Sequence, residues 1–521
     1  MLNNITFIKG KGGLGRALPG EDYISGLIFY DNNLPSGFAT NDRVKQIFSV
    51  QDAEDLGIKA DYADETRATT TITITSVGAN GDQLVIQTKE GGNNGSKAIS
   101  GGTLTDAVYS MVTIATYKKA STETVVNDVA TAVANLINLG NDTHGYSATI
   151  SGATVTVIAK PGIGTFPNAK TLTIIPSGTI AATSTAWAGG TTSKNAIKHY
   201  HISEFFRIQP QGNLWVGIFA VPTGAYTFTE IDTMSIASEG KIRQIGIYQD
   251  GQAFNAADLT TIQNICLTID SKIAPLSVLF ASDISGVSNL STLANLATYN
   301  ANKVSVVISQ DAGNVGNQLA WGYGKSITTL GATLGAVALA RVNEDIAWVS
   351  KFNISGNQEC EVIGFANGLP ITDSSMSTNL FNLIDLKRYI FLRKLINVAG
   401  SYFNDSHTAI AQSSDYAYIE NNRTIDKAIR GVYMDLVPIL NGPLTLNADG
   451  TLEDATVAYL ESQGSISVNQ MVRNTEISAV SVKVDPQQDV ATTSTVVVAI
   501  EIVPIGVARN IVVNIGFAAS I

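Results

Sequence analysis

Cysteine is nearly absent. Cys266 and Cys360 are the only two in 521 residues. Neither belongs to a Cys-x-x-Cys pair, so neither a disulfide framework nor a cysteine zinc site is implied. Histidine is scarce too: His144, His199, His201 and His407 are the whole set. His199 and His201 read as neighbours on one face of an extended segment, a spacing that metal sites use. No third ligand lies near them, and no metal is expected. Without a Gly-x-Ser-x-Gly elbow, a serine hydrolase has little to build on, and no catalytic carboxylate pair is singled out. Long apolar runs are missing as well. The run "LGATLGAVALA" at 330–340 falls short of the ~18 residues that span a bilayer and reads as a buried helix. Residues 1–11 lack the apolar stretch of a secretory signal, so a soluble chain made in the cytoplasm is expected, with no membrane partner. Charge is sparse, at 15% of residues against 45% hydrophobic, and the net charge is −11. That balance excludes a broad basic face for nucleic acid. It also suggests large cores and a surface covered by partners.

Glycine is plentiful where phosphate loops begin. "FIKGKGGLGR" at 7–16 follows a short apolar strand, yet Gly10, Gly12, Gly13 and Gly15 miss the phosphate-loop spacing and no Lys-Ser or Lys-Thr closes it. Pro19 and Gly20 then interrupt any helix. A flexible arm with one short strand fits better. Gly324-Lys325-Ser326 resembles the end of a phosphate loop, but the template needs glycine at 319, where Leu319 stands. No cofactor is expected from either stretch.

Four regions emerge. Residues 1–65 hold the glycine arm, the strand "SGLIFY" and a helix expected over "NDRVKQIFSVQDAEDLG", with Val44, Ile47 and Phe48 on one face. Residues 66–195 form a Thr-, Ser- and Gly-rich, mostly-β inserted module. Its "TTTITITSVGANGDQLVIQT" reads as strand, turn, strand, and "TVVNDVATAVANLINLG" as a helix capped by Gly140. Residues 196–375 alternate strands ("NLWVGIFAVP", "KIRQIGIYQ", "PLSVLFAS", "KVSVVISQ") with helical segments, among them "SNLSTLANLATYNA". This predicts an open, largely parallel sheet covered on both faces. Residues 376–521 open with helices, beginning with "LFNLIDLKRYIFLRKLINVAGSYF", and close with three strands. The fold class is α/β and α+β multidomain: an open mixed sheet core with helices, plus the mostly-β insertion.

The two ends carry a resemblance. "GKGGLGRALPGEDYISGLIFY" resembles the opening of bacteriophage contractile-tail sheath proteins of Mu-like and Bacteroidetes phages. "VVVAIEIVPIGVARNIVVNIGF" at 496–517 is similar to the closing strands of tail sheaths generally. "NRTIDKAIRGVYMDLVPILNGPL" at 422–444 resembles a sheath helix, which makes 376–521 a C-terminal sheath domain with a terminal strand arm. The insertion is similar to decoration modules of Mu-type sheaths, and contractile injection systems use related folds. The resemblance implies a non-enzymatic subunit that stacks as hexameric rings in a helical sheath around an inner tail tube protein. Baseplate and tail terminator proteins are the other partners it implies. It places the protein in a virion tail assembled in the host cytoplasm. Contraction would drive the tube through a cell envelope. Terminal arms would add strands to neighbouring copies. Those arm strands are Ile5, Phe7 and Ile8 at one end and Ile511, Val513, Ile515 and Phe517 at the other. Gly10, Gly12, Gly13 and Gly15 would be the hinge. An α/β enzyme, or a surface adhesin or decoration protein, is the alternative.

One stretch suggests a tube contact. Arg423, Lys427 and Arg430 recur at i, i+4 and i+7 and form one basic stripe on a helix. Ile429 and Val432 are expected to pack inward from another face. Such a stripe suits an acidic band on the tube.

Overall fold

The computed structural model describes residues 22–91, 98–100, 103–105 and 109–517. They divide into two units. The larger is Tyr23–Ala340 with Glu344–Asn422; the smaller holds Asp22, Arg341–Asn343 and residues 423–517.

The larger unit is built on a seven-stranded sheet. Its strands are β1 (Ile24–Tyr30), β2 (Val44–Ile47), β3 (Asn213–Phe219), β4 (Gln244–Ala253), β5 (Ser277–Asp283), β6 (Val304–Val307) and β7 (Tyr389–Ile390). The order is β7-β6-β5-β4-β1-β3-β2. All pairings are parallel except that of β2 with β3. All seven residues of β1 are buried. A strand flanked by two neighbours and covered on both faces reads as a continuous apolar run, not an alternation. Ile28, Ile245, Ile247 and Phe280 pack on one side with Met234, Ile262 and Cys266 from the helices Glu230–Ala237 and Asp258–Asp270. Leu27, Phe29 and Leu279 pack on the other with Phe205 and Leu334 from the helices Lys194–Ile208 and Leu330–Leu339.

Several expectations change. The helix expected across 41–57 is instead β2 followed by a single short helix, Val50–Asp55, which Ser49 caps through the Asp52 N–H. An open edge beside β3 takes the β-branched run. "SNLSTLANLATYNA" is two short 3₁₀ turns, Leu290–Thr292 and Leu296–Thr298. Asn289 and Asn295 each accept the N–H two residues on, which competes with a continuous helix. The segment from 380 to 403 leaves its helix at Leu386; Arg388 turns into the left-handed region (φ 73°), and β7 and a hairpin follow, Leu392–Leu395 with Val398–Phe403. Residues 199–201 are helical rather than extended, so His199 and His201 point to different surroundings.

The insertion carries its own core. Thr69–Ser76 and Gln83–Gly91 do not pair with each other. The first lies in a four-stranded sheet and the second in a three-stranded one. The helix Val126–Leu139 packs Val129, Val133 and Ile137 with Ile72, Ile74, Leu84, Ile86 and Val155 of the two sheets and with Trp187 from the segment after them. Each strand alternates, with Ile72 and Ile74 of one and Leu84 and Ile86 of the other inward, and Thr70, Thr88 and Glu90 sharing the buried face.

In the smaller unit the helix Ile419–Leu436 contributes from Arg423 onward. Helices Asp454–Gly464 and Ile466–Arg473 follow, then the antiparallel pair Ile477–Val484 and Val498–Pro504. Ala428, Val468, Met471 and Ile477 form one small core, and Leu452, Leu460 and Val484 another.

Candidate functional site

The smaller unit ends in a two-stranded ribbon followed by an exposed apolar segment. Among the described residues, neither Ile477–Val484 nor Val498–Pro504 has a second neighbouring strand. Each therefore presents a row of backbone donors and acceptors along one edge. Beyond Pro504 the described chain has no helix or strand. Ile511 is 80%, Val512 85% and Ile515 91% exposed; Val513 and Phe517 are exposed too. The third closing strand expected here is not formed: among the described residues, 505–517 pair with neither ribbon edge. Ile5, Phe7, Ile8 and the hinge glycines Gly10, Gly12, Gly13 and Gly15 lie outside the described residues.

The basic stripe is a buried ion cluster. Arg423, Lys427 and Arg430 are each less than a tenth exposed. Lys427 Nζ donates to Asp22 Oδ2 at 2.7 Å and to Glu476 Oε1 at 2.6 Å. Arg430 stands 3.7 Å from Asp22 Oδ1. Arg423 donates to the backbone carbonyls of Arg341 and Asp22. The spacing does place the three on one face, but that face turns toward carboxylates of the same unit, because a buried charge must be paired. On the outward side of the helix Ile429, Tyr433 and Met434 are exposed, as are Val437 and Leu440 just past its end. Ile429 thus faces out, not in. In sequence, Lys427 beside Asp426 and upstream of Glu476 holds no signal of that inversion.

The larger unit spends its polar strand ends on internal pairs. Lys198 holds Asp31 after β1, Lys194 holds Asp250 in β4 at 2.5 Å, and Lys325 holds Asp283 at the end of β5 at 2.9 Å. This is the edge where open α/β sheets bind ligands. Gly324 takes φ 73° as the C-cap of the helix Val315–Tyr323. The Gly-Lys-Ser stretch therefore follows a helix end, whereas a phosphate loop precedes a helix start. His199 bonds Glu54 at 3.0 Å. His201 is fully buried against Phe29 and Tyr248, without a hydrogen-bond partner among the described residues. Burial pushes its pKa down to about 3, so the ring is neutral. His407 bonds Asp385 at 2.9 Å, and His144 accepts from the Tyr146 N–H. The lysine–aspartate pairs escaped the sequence reading, because their partners lie up to 167 residues apart.

Residues 2–407 match the N-terminal domain of the DUF2586 family, and residues 415–521 match its C-terminal domain. The chain belongs to the DUF2586 family. Among solved structures, this DUF2586 protein is similar to a chain of the anti-feeding prophage baseplate, with 11% identity, 61% of this chain and 80% of that one covered, and a TM-score of 0.41. A chain of the contracted PVC sheath complex, an extracellular contractile injection system, gives 11%, 62%, 80% and 0.40. A sheath tail protein from Listeria innocua gives 11%, 93%, 96% and 0.36. No curated protein matches the chain.

Proposed function

We propose that this DUF2586 protein is a structural subunit of a contractile tail sheath. One observation carries the reading: an exposed apolar C-terminal segment follows a two-stranded ribbon whose edges are open. Water is a poor partner for both, since exposed contiguous apolar surface marks an interaction site and an open edge accepts an added strand. The sheath-like sequence at 496–517 supports the same reading. The segment of one copy would pair with a ribbon edge of the next. Because donor and acceptor surfaces differ, the contact is head-to-tail and repeats without closing on a pair, as rings and filaments require. In this reading the subunits stack as hexameric rings around an inner tube, meet baseplate and terminator proteins at the ends, and contract to drive the tube through an envelope. The work comes from burial between copies, with no cofactor and no catalytic group. A phage or prophage virion tail is the setting this reading favours.

Purified full-length protein should form tubes or stacked rings by negative-stain microscopy. Removing residues 505–521, or residues 1–15, should leave a folded, soluble subunit that no longer polymerises. Each inter-strand hydrogen bond contributes only ~0.5–1.5 kcal/mol net, but every copy loses several. Tubes of normal length from either truncation would refute strand exchange. Discrete small particles from the intact chain would refute the sheath role.

A further inference from the structure

Two buried carboxylates converge on the start of the helix Val315–Tyr323. Asp311 ends the strand Ser309–Asp311, and both of its oxygens are occupied. Oδ1 accepts from the N–H groups of Cys360 at 3.0 Å and Gly313 at 3.4 Å; Oδ2 accepts from those of Asn314 at 2.8 Å and Asn317 at 3.4 Å. Glu359 closes the turn 356–359 and reaches the same place. Its Oε1 accepts from Asn314 Nδ2 at 2.7 Å and the Val315 N–H at 3.4 Å. Its Oε2 is buried with no hydrogen-bond partner among the described residues, and so is the Tyr200 hydroxyl. That hydroxyl borders Asp311: a Cβ added to Gly316 would lie 2.5 Å from Tyr200 Oη and 2.9 Å from Asp311 Cβ.

Of the remaining groups that face the pair, the cation Arg207 offsets less of its charge than burial and Asp311 add. Arg207 is already forked onto Glu204, with both contacts at 2.7 Å. Cys360 is a fully buried thiol, which burial keeps protonated. A metal ion needs several open oxygens, and only Glu359 Oε2 is open. Two carboxylates in one nook do not both ionise cheaply. The turn itself is held against its preference, for Asn357, Gln358 and Cys360 all have left-handed backbone (φ 53°, 70° and 54°).

We propose that Glu359 carries a proton in the folded protein and that this proton is a latch, whose loss sets a second charge beside Asp311 and drives the 356–359 turn from the helix start. Burial first, and then the Asp311 charge, push the Glu359 carboxyl up to about 7 from an ordinary 4.5. The folded chain therefore keeps a proton that the unfolded chain has released. The larger unit loses stability as pH rises through that window, from the unfolded value to the folded one.

Urea unfolding of the full chain at about pH 5 and about pH 8 tests this, comparing wild type with Glu359→Gln. The unfolding constant of wild type should rise at least tenfold relative to the variant over that range, one pKa unit being tenfold. Parallel profiles would overturn the latch. A second measurement needs no Glu359 variant. Wild type labelled at glutamate should show the infrared carbonyl band of a protonated carboxyl near neutral pH, fading by about pH 8. Glu65 is the other glutamate that burial pushes up, so the band must persist in Glu65→Gln. A missing band, or one lost with Glu65→Gln, would also overturn the proposal.

Discussion

Lys427 shows what one residue carries here. It is 6% exposed and bonded to both Asp22 and Glu476. Replacing one member of a buried pair strands the others without compensation, which costs about 3–5 kcal/mol. Lys427→Met should therefore lower the unfolding free energy of the smaller unit, read from its urea curve, by about 3–5 kcal/mol, whereas Lys483→Met in the same unit should change it by less than about 1 kcal/mol. Lys483 is a fair control, since it is exposed on the strand Ile477–Val484 of the same unit. An equal effect from both would mean that the cluster is not desolvated in solution. Lys427 was legible in the sequence as a charge on one helical face. Its carboxylate partners were not, because they lie 405 and 49 residues away along the chain.

At the scale of elements, the packing of two helices decides the covered face of the sheet. Gly331 opens the helix Leu330–Leu339 against the backbone of Lys194–Ile208: a Cβ there would sit 2.1 Å from the His201 carbonyl oxygen. Backbone cannot swing aside as a side-chain tip can, so Gly331→Ala should destabilise the larger unit by about 1–3 kcal/mol. Calorimetry would read this as a lower melting temperature. A neutral or stabilising change, as expected of an exposed helical glycine, would mean that the two helices are further apart. Existence and type of the long periodic elements were readable from the sequence. The helix at 126–139 and four of the seven strands of the core sheet were found where the apolar pattern put them. Short ambiguous runs were not. "RVKQIF" and "RYIFLRKLI" fit a helical face as well as a strand, and a free sheet edge settled the first while a turn at Arg388 settled the second.

At the scale of the molecule, the question is how far the insertion stands by itself. It has a private core of Ile, Val, Leu and Trp187. It meets the rest of the larger unit through a set of contacts that includes Phe166 against Trp321 at 4.9 Å between ring centroids, Thr165 N to Gly322 O at 2.8 Å and Gly162 N to Glu65 Oε1 at 2.9 Å. We propose that it is an independent decoration module. Excising residues 66–193 with a short linker should leave one cooperative melt for the remainder of the larger unit. A lowered melting temperature is expected, because Trp321 loses its cover. Loss of the cooperative transition would show that the insertion is part of the core it interrupts.

The sequence alone determined the features that depend on neighbours along the chain. Period and composition placed an α/β core, a mostly-β module and three closing strands, of which two are formed, and glycine spacing argued against phosphate loops. Tertiary structure decided whatever depends on residues far apart. It paired Thr69–Ser76 and Gln83–Gly91 into different sheets rather than a hairpin. It turned the cations of the helix at 419–436 inward and left its Ile429, Tyr433 and Met434 exposed. The physical reason is common to both cases. Hydrophobic period states which side chains share a face, but burial is a contest among all faces of the chain, and a buried cation wins its place once distant carboxylates meet it there.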